Sequence, residues 1–333
     1  MVLSFGELLI RFSPDVDGRW LENNSLDVYP GGSSFVIADA LSTWRVPVCY
    51  CTTLPDNFLS EQIVRKISLH NIDTSIITYS GEKIGTYYLT YDENGDEKVI
   101  YNHKHSAFYN LQPGMINWDS TLNGIRWFHF SAVSAALNEN VAAVCKEALE
   151  ACAKKSITVS VDLSYLSLLW QYGKEPTEVM SELLQYCDIM MSTIWFEEIM
   201  LKMPLPEMNT FKKEDYVSLS KKISGEIMKR FPQCKIIANS FVFNEANIEH
   251  YATILSNNNF YASASYKTNA PVDASGTYDC FAAGIIYGIY NHLPFQQVIN
   301  FANAAGFQKL FVKGNMNIKT TEEIKSFIQH YSH

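Results

Sequence analysis

The chain has 333 residues, 47% of them hydrophobic and 18% charged, and a formal net charge of −9. This is the composition of a folded protein with a large core, and the acidic balance argues against nucleic acid or an anionic membrane as a partner. No apolar run reaches the ~18–20 residues that span a bilayer, no basic leader precedes Val2-Leu3-Ser4-Phe5-Gly6, and seven cysteines without paired metal spacings fit a reducing cytoplasm.

In chain order, Leu3–Phe12 reads as the first strand, and a polar stretch over 11–30 carries Trp20, Leu21, Val28 and Tyr29. Val48–Thr53 is the next strand, with Cys49 and Cys51 expected to face opposite sides. Residues 84–109 hold two alternating runs around Asn94-Gly95, a strong hairpin signal. Together, 11–30 and 84–109 are expected to build a small antiparallel flap. Within it, His103 and His105 would share one face of a strand. Trp127–Ser131, Ile157–Leu163 and Ile236–Phe241 are further strands, and Val141–Lys155 is an amphipathic helix. Residues 202–215, with Pro204 and Pro206, read as a loop. Strands alternating with helices over one domain, 1–333, imply an α/β fold with a mostly parallel sheet covered on both faces.

Residues 273–284, Asp-Ala-Ser-Gly-Thr-Tyr-Asp-Cys-Phe-Ala-Ala-Gly, carry the chemical signal. Small, turn-forming residues end at Asp279, and an apolar run from Cys280 to Tyr290 follows. A loop opening into a buried helix presents unpaired N–H groups and a positive dipole end, which together hold phosphate. A carboxylate at that spot can take a proton from an attacking hydroxyl, the minimum equipment for phosphoryl transfer. The competing reading is that Asp279 simply caps a helix.

Several segments in order resemble the ribokinase/PfkB family of carbohydrate kinases, with 2-keto-3-deoxygluconate kinase the most similar subgroup. They are Gly6-Glu7-Leu8-Leu9-Ile10-Arg11-Phe12-Ser13-Pro14, Tyr29-Pro30-Gly31-Gly32, Gly85-Thr86-Tyr87, Tyr101 to Ala107, Gly124 to Ser131, and Asp273 to Asp279 on the family signature. The resemblance implies a three-layer ribokinase-like fold with a β-sheet lid that closes over the sugar and forms a homodimer clasp. It implies ATP and Mg²⁺, with Asp279 as the base. It also implies an anion hole from the amides of Gly276, Thr277 and Tyr278. Gly31 and Gly32 would face the sugar, with Tyr87, Tyr101 and His103 reaching it from the lid. For each of these the plainer alternative is a tight turn or cross-strand aromatic packing. Lys313-Gly314 is either a nucleotide contact or a helix stop.

The chain departs from the family pattern at several of these places. The Gly-Ala-Gly-Asp end of the signature reads Gly276-Thr277-Tyr278-Asp279, and Tyr278 lacks the freedom of glycine. The Asn expected after Gly31-Gly32 is Val36. Two arginines that would hold a sugar-acid carboxylate are Leu166 and His103. Trp195 stands where a glutamate would help order Mg²⁺, leaving Glu197 as an indirect candidate, and Asn239 to Phe243 replaces a Gly-x-x-Gly turn. The leading reading is ATP-dependent phosphorylation of a primary hydroxyl on a sugar or sugar acid, either 2-keto-3-deoxygluconate-like or a neutral hexose or ketose. The alternative is a pseudokinase that binds sugar or nucleotide without turnover. A third reading is a structural dimerisation module that uses the flap.

Overall fold

The computed structural model describes residues 1–14, 20, 25–91, 97–203, 213–244, 247–317 and 319–331. With strands numbered in chain order, the central sheet comprises β1 (Val2–Phe5), β4 (Val48–Cys51), β9 (Trp127–Ser131), β10 (Thr158–Asp162), β11 (Ile189–Ser192), β12 (Ile236–Asn244), β13 (Ile248–Ser256), β14 (Asn259–Ala262) and β15 (Tyr266–Thr268). A smaller sheet holds β2 (Leu9–Pro14), β3 (Leu26–Gly31), β7 (Gly85–Tyr91) and β8 (Glu97–Asn102), and β5 (Thr53–Leu54) pairs with β6 (Thr78–Tyr79).

The central order is β14-β13-β12-β11-β10-β9-β1-β4, with β15 beside β13. The pairings from β4 to β12 are parallel, and those of β13 are antiparallel. Successive side chains on a strand point to opposite faces, and here both faces are apolar, as a doubly covered sheet requires. Phe5, Phe130 and Val161 join the core under the helices Glu139–Lys154 and Lys213–Arg230. Val2, Trp127 and Met191 join the core under Ser33–Thr43, Thr277–Tyr290 and Phe295–Lys309. The result is the expected three-layer α/β arrangement. Among the described residues no helix is long and apolar enough to cross a membrane.

The chain steps from β1 to β4 in one direction and from β9 through β12 in the other. A crevice opens at the carboxyl ends of strands where the order reverses, here between β1 and β9.

Several expectations are corrected. The predicted strand Leu3–Phe12 is two strands in two sheets, β1 and β2. Its alternation is continuous, but the chain breaks at Gly6, where a side chain would collide with Ser34 at the start of the helix Ser33–Thr43. Cys49 and Cys51 enter the same core cluster, because residues two apart on a strand share a face. β8 stops at Asn102, so His103 and His105 do not share a strand face, and His105 takes φ 63° in a turn. The hairpin tip at Asn94-Gly95 and residues 204–212 of the predicted loop lie outside the described residues. Residues 213–215 are already helical. β12 is longer than predicted and turns back into β13, a pairing that the sequence reading missed.

The small sheet combines both polar-aromatic stretches, with β2 antiparallel to β3 and parallel to β7. Its residues alternate between two faces. Leu9, Tyr87 and Leu89 cluster on the inner one. Val28, Phe12, Tyr88 and Ile100 lie in register across the outer one, where Val28 and Ile100 are 56% and 68% exposed.

A buried ion pair ties the small sheet to the loop before the helix Thr277–Tyr290. Arg11 Nη1 of β2 donates to Asp273 Oδ2 at 2.8 Å, and Arg11 Nε donates to Ser13 Oγ at 2.8 Å. Asp273 also accepts from the Gly314 and Ser275 amides, both at 2.9 Å. Removing one partner of a buried pair leaves the other uncompensated, at about 3–5 kcal/mol. Asp273→Ala should lower the urea unfolding free energy by that order. A loss under about 1 kcal/mol, the surface-pair range, would mean the pair contributes little.

Candidate active site

A cavity of about 350 Å³ occupies the switch-point crevice, roofed by the inner face of the small sheet. The segment after β1 brings Glu7 into it. The Glu7 carboxylate is buried, with Oε2 2.5 Å from His103 Nδ1 and Oε1 accepting from Ser106 Oγ at 2.5 Å. His103 stacks on Tyr101, whose ring lies against Tyr87. The turn before the helix Ser33–Thr43 passes directly over Glu7. Gly32 takes φ 101°, and any Cβ there would strike the Glu7 carbonyl oxygen, so only glycine meets both demands.

That turn delivers Ser33 to the centre of the cavity. Ser33 Oγ donates to Asp279 Oδ1 at 2.6 Å and lies 3.4 Å from Asp162 Oδ2. Asp162, at the end of β10, accepts from Ser131 Oγ at 2.9 Å. Burial is the main cause that pushes the Asp279 carboxyl up to about 7. The Asp162 charge adds to the rise, while the Ser33 hydrogen bond and Lys309 oppose it.

Asp279 does not cap its helix. The helix starts at Thr277 with Gly276 at the N-cap, φ 81°, and no side-chain cap bond. Asp279 is the third helical residue and points its carboxylate at Ser33. A Cβ on Gly276 would lie 2.5 Å from the Asn315 carbonyl oxygen, so the loop is pressed against the 310–315 turn. Val36, where an asparagine was expected, is fully buried below this loop. The Thr277 amide already donates to Ala274 O at 3.2 Å.

A second cavity, about 270 Å³, lies on the other side of the helix start and is lined by Trp195, His250, Phe281 and Asn303 among others. Tyr278 and Phe196 line both cavities and meet edge to face at 6.5 Å, so their rings form the wall between them. The Tyr278 hydroxyl is buried without a hydrogen-bond partner. The partition itself was not legible in the motif.

Of the residues singled out from sequence, Gly32, Tyr87, Tyr101, His103, Gly276, Tyr278 and Asp279 all line the first cavity. Gly31 stands behind Tyr87, where a Cβ would crowd the ring at 3.0–3.1 Å. Glu197 lines neither cavity. It is fully buried, its two oxygens have no hydrogen-bond partner, and burial raises its carboxyl to about 8. No group of three or more potential metal-binding side chains occurs among the described residues. Lys313 pairs with Asp27 of β3 at 2.5 Å. Sequence reasoning missed the functional placement of Glu7, Ser33 and Asp162. Their signal was a lone polar residue at the end of an apolar strand or just past a glycine turn.

The pfkB family carbohydrate kinase model matches residues 1–322 of this chain. A 2-dehydro-3-deoxygalactonokinase of Haloferax volcanii is 21% identical over 332 residues, spanning 98% of this chain and 96% of the relative. A solved 2-dehydro-3-deoxygluconokinase of Thermotoga maritima superposes with a TM-score of 0.90 at 27% identity, covering 98% of this chain and 99% of that one. A fructokinase of Xylella fastidiosa with bound ATP shares the fold, with a TM-score of 0.78 at 16% identity over 100% and 99% of the two chains.

A carboxyl raised in the folded state binds its proton more tightly there than in the unfolded chain. Stability from Asp279 is therefore lost as pH climbs from its ordinary value of 3.8 to about 7. The thermal stability of Asp279→Asn relative to wild type should rise across that window and level off above it. A constant difference at all pH values would refute the raised pKa. Carboxyl NMR should also find the Asp279 titration moved to lower pH in Asp162→Asn.

Proposed function

The chain belongs to the pfkB family of carbohydrate kinases, and from that premise we propose that it transfers the γ-phosphoryl group of ATP to a primary hydroxyl of a sugar or sugar acid. The observation that carries this reading is Asp279, held by Ser33 in the cavity at the first turn of a helix. A base works best with a pKa near the working pH, and burial supplies that. Asp279 takes the proton of the attacking hydroxyl. The amides of Gly276 and Tyr278, together with the helix dipole, stabilise the charge on the transferring group, with Thr277 holding the turn.

The acceptor lies between Gly32 and the inner face of the small sheet, against Tyr87, Tyr101 and His103. The small sheet serves as the lid. The relatives named above act on sugar acids, or on fructose, and both classes are open at this level. The second cavity is assigned to the adenosine end of ATP, where Trp195 and Phe281 offer apolar surface for adenine and Asn303 a polar contact. ATP supplies the phosphoryl group. Mg²⁺ finds no protein chelate among the described residues and would be held by the triphosphate, so no step is assigned to it.

Transfer requires the Tyr278–Phe196 wall to part. Thr277→Ala with Tyr278→Gly removes the larger half of the wall and restores backbone freedom. It should raise ATP binding or hydrolysis, on the order of 10²-fold if an anion-hole donor is recovered. A folded double variant that does neither would count against the nucleotide assignment.

The outer face of the lid supports a homodimer. Val28, Phe12, Tyr88 and Ile100 form one apolar row, and a small isolated sheet gains from a partner. Tyr87 and Tyr101 turn inward and take no part. Light scattering should give a dimer at micromolar concentration that Val28→Asp with Ile100→Asp splits. A monomeric wild type would end the idea. For the reaction itself, Asp279→Asn should cut ADP release in a sugar and sugar-acid panel by about 10²–10⁴ while the protein stays folded. Wild-type turnover in that variant would remove Asp279 as the base.

A further inference from the structure

Resting on the acceptor cavity assigned above, we infer that the chain selects a neutral ketose-type sugar and rejects the corresponding sugar acid, because the cavity offers hydrogen-bond acceptors and no fixed positive charge. Two carboxylates, Glu7 and Asp279, line it, and no lysine or arginine does among the described residues. Arg11 is committed elsewhere, to Asp273 and Ser13. Leu166 lines the cavity and carries no charge.

Three of the six serines that line it add acceptors beside these carboxylates. Ser33, Ser34 and Ser131 donate their protons to Asp279, the Phe5 carbonyl and Asp162, at 2.6, 2.8 and 2.9 Å. Each hydroxyl oxygen is then left able only to accept. His103 follows the same logic. Its Nδ1 lies 2.5 Å from a carboxylate oxygen, which can only accept, so Nδ1 carries the proton. In the neutral ring Nε2 is an acceptor, and it has no partner in the protein. Sugar hydroxyls satisfy such a set by donating. A carboxylate cannot donate, and it would sit near the Glu7 carboxylate, and near that of Asp279 once it ionises, without a lysine or arginine counter-ion among the described residues, an arrangement that costs free energy in a partly desolvated site.

The test is calorimetric binding with matched pairs that differ only at C1. D-fructose carries a hydroxymethyl group where 2-keto-D-gluconate carries a carboxylate, and 3-deoxy-D-fructose stands in the same relation to 2-keto-3-deoxy-D-gluconate. The hydroxymethyl member should bind at least about tenfold more tightly in one or both pairs. Leu166→Arg should narrow or invert that ratio, and Glu7→Gln should narrow it, each variant first shown to melt cooperatively. Equal or tighter binding of the acid, or no binding by any of the four, would overturn the inference. ADP release is measured alongside. Ketose binding without ADP release would remove the kinase assignment and leave the selectivity standing. Acid binding with ADP release would do the reverse.

Discussion

The Asp273 carboxylate is the point on which the site depends. It sits where three separate pieces of chain meet: β2 of the small sheet through Arg11, the loop before the helix Thr277–Tyr290 through the Ser275 amide, and the 310–315 turn through the Gly314 amide. Its neighbours extend the link, since Asn315 Nδ2 donates to the Tyr87 hydroxyl at 2.7 Å. A buried carboxylate must be matched by charge and by donors or it does not stay ionised. Satisfying this one group therefore brings the lid, the helix start and the turn into one geometry. Lys309 sits behind the same loop, fully buried, with Nζ on the Val312 carbonyl at 2.8 Å. Burial lowers its pKa, while the charges of Asp273 and Asp279 favour its ammonium form.

The second organising feature is the pairing of Asp162 with Asp279 across Ser33. Two carboxylates close together resist joint ionisation. Ser33 has one proton to give and places it on Asp279, while Asp162 is served by Ser131 and the Ser164 amide. Asp162 also faces His129 at 3.6 Å, and His129 is held in turn by Ser160. Chains of this kind fix the orientation of every member, because each hydroxyl proton is already spent. The same bonds that aim the Asp279 carboxylate leave the Ser33 and Ser131 oxygens as acceptors in the cavity.

Tyr278 gives the helix start a character different from an open glycine loop. Its ring is packed against Phe196 and Phe281 and divides two cavities that phosphoryl transfer must connect. Its hydroxyl is buried and unpartnered, a state that costs free energy.

The alternation of strands and helices, the apolar faces and the Asp273–Asp279 loop into a buried helix were all legible in the sequence, because they rest on local periodicity and turn chemistry. The small sheet was legible too, from its paired aromatic runs, but it was expected to be antiparallel, and the β2–β7 pairing that joins its two pieces is parallel. Other features depended on how distant pieces meet. Leu3–Phe12 looks continuous because side-chain alternation does not register Gly6 yielding to Ser34. Asp279 could be a cap or a reactive group until the helix was seen to start at Thr277 with its carboxylate turned to Ser33, 246 positions away. Glu197 lay near a recognisable motif, yet the interior encloses it and burial pushes its carboxyl up. The sequence by itself determined the layered fold and the residue types at the helix start. Tertiary structure decided the protonation, orientation and shared cavity of those residues, because burial and hydrogen-bond donation are set by neighbours far apart along the chain.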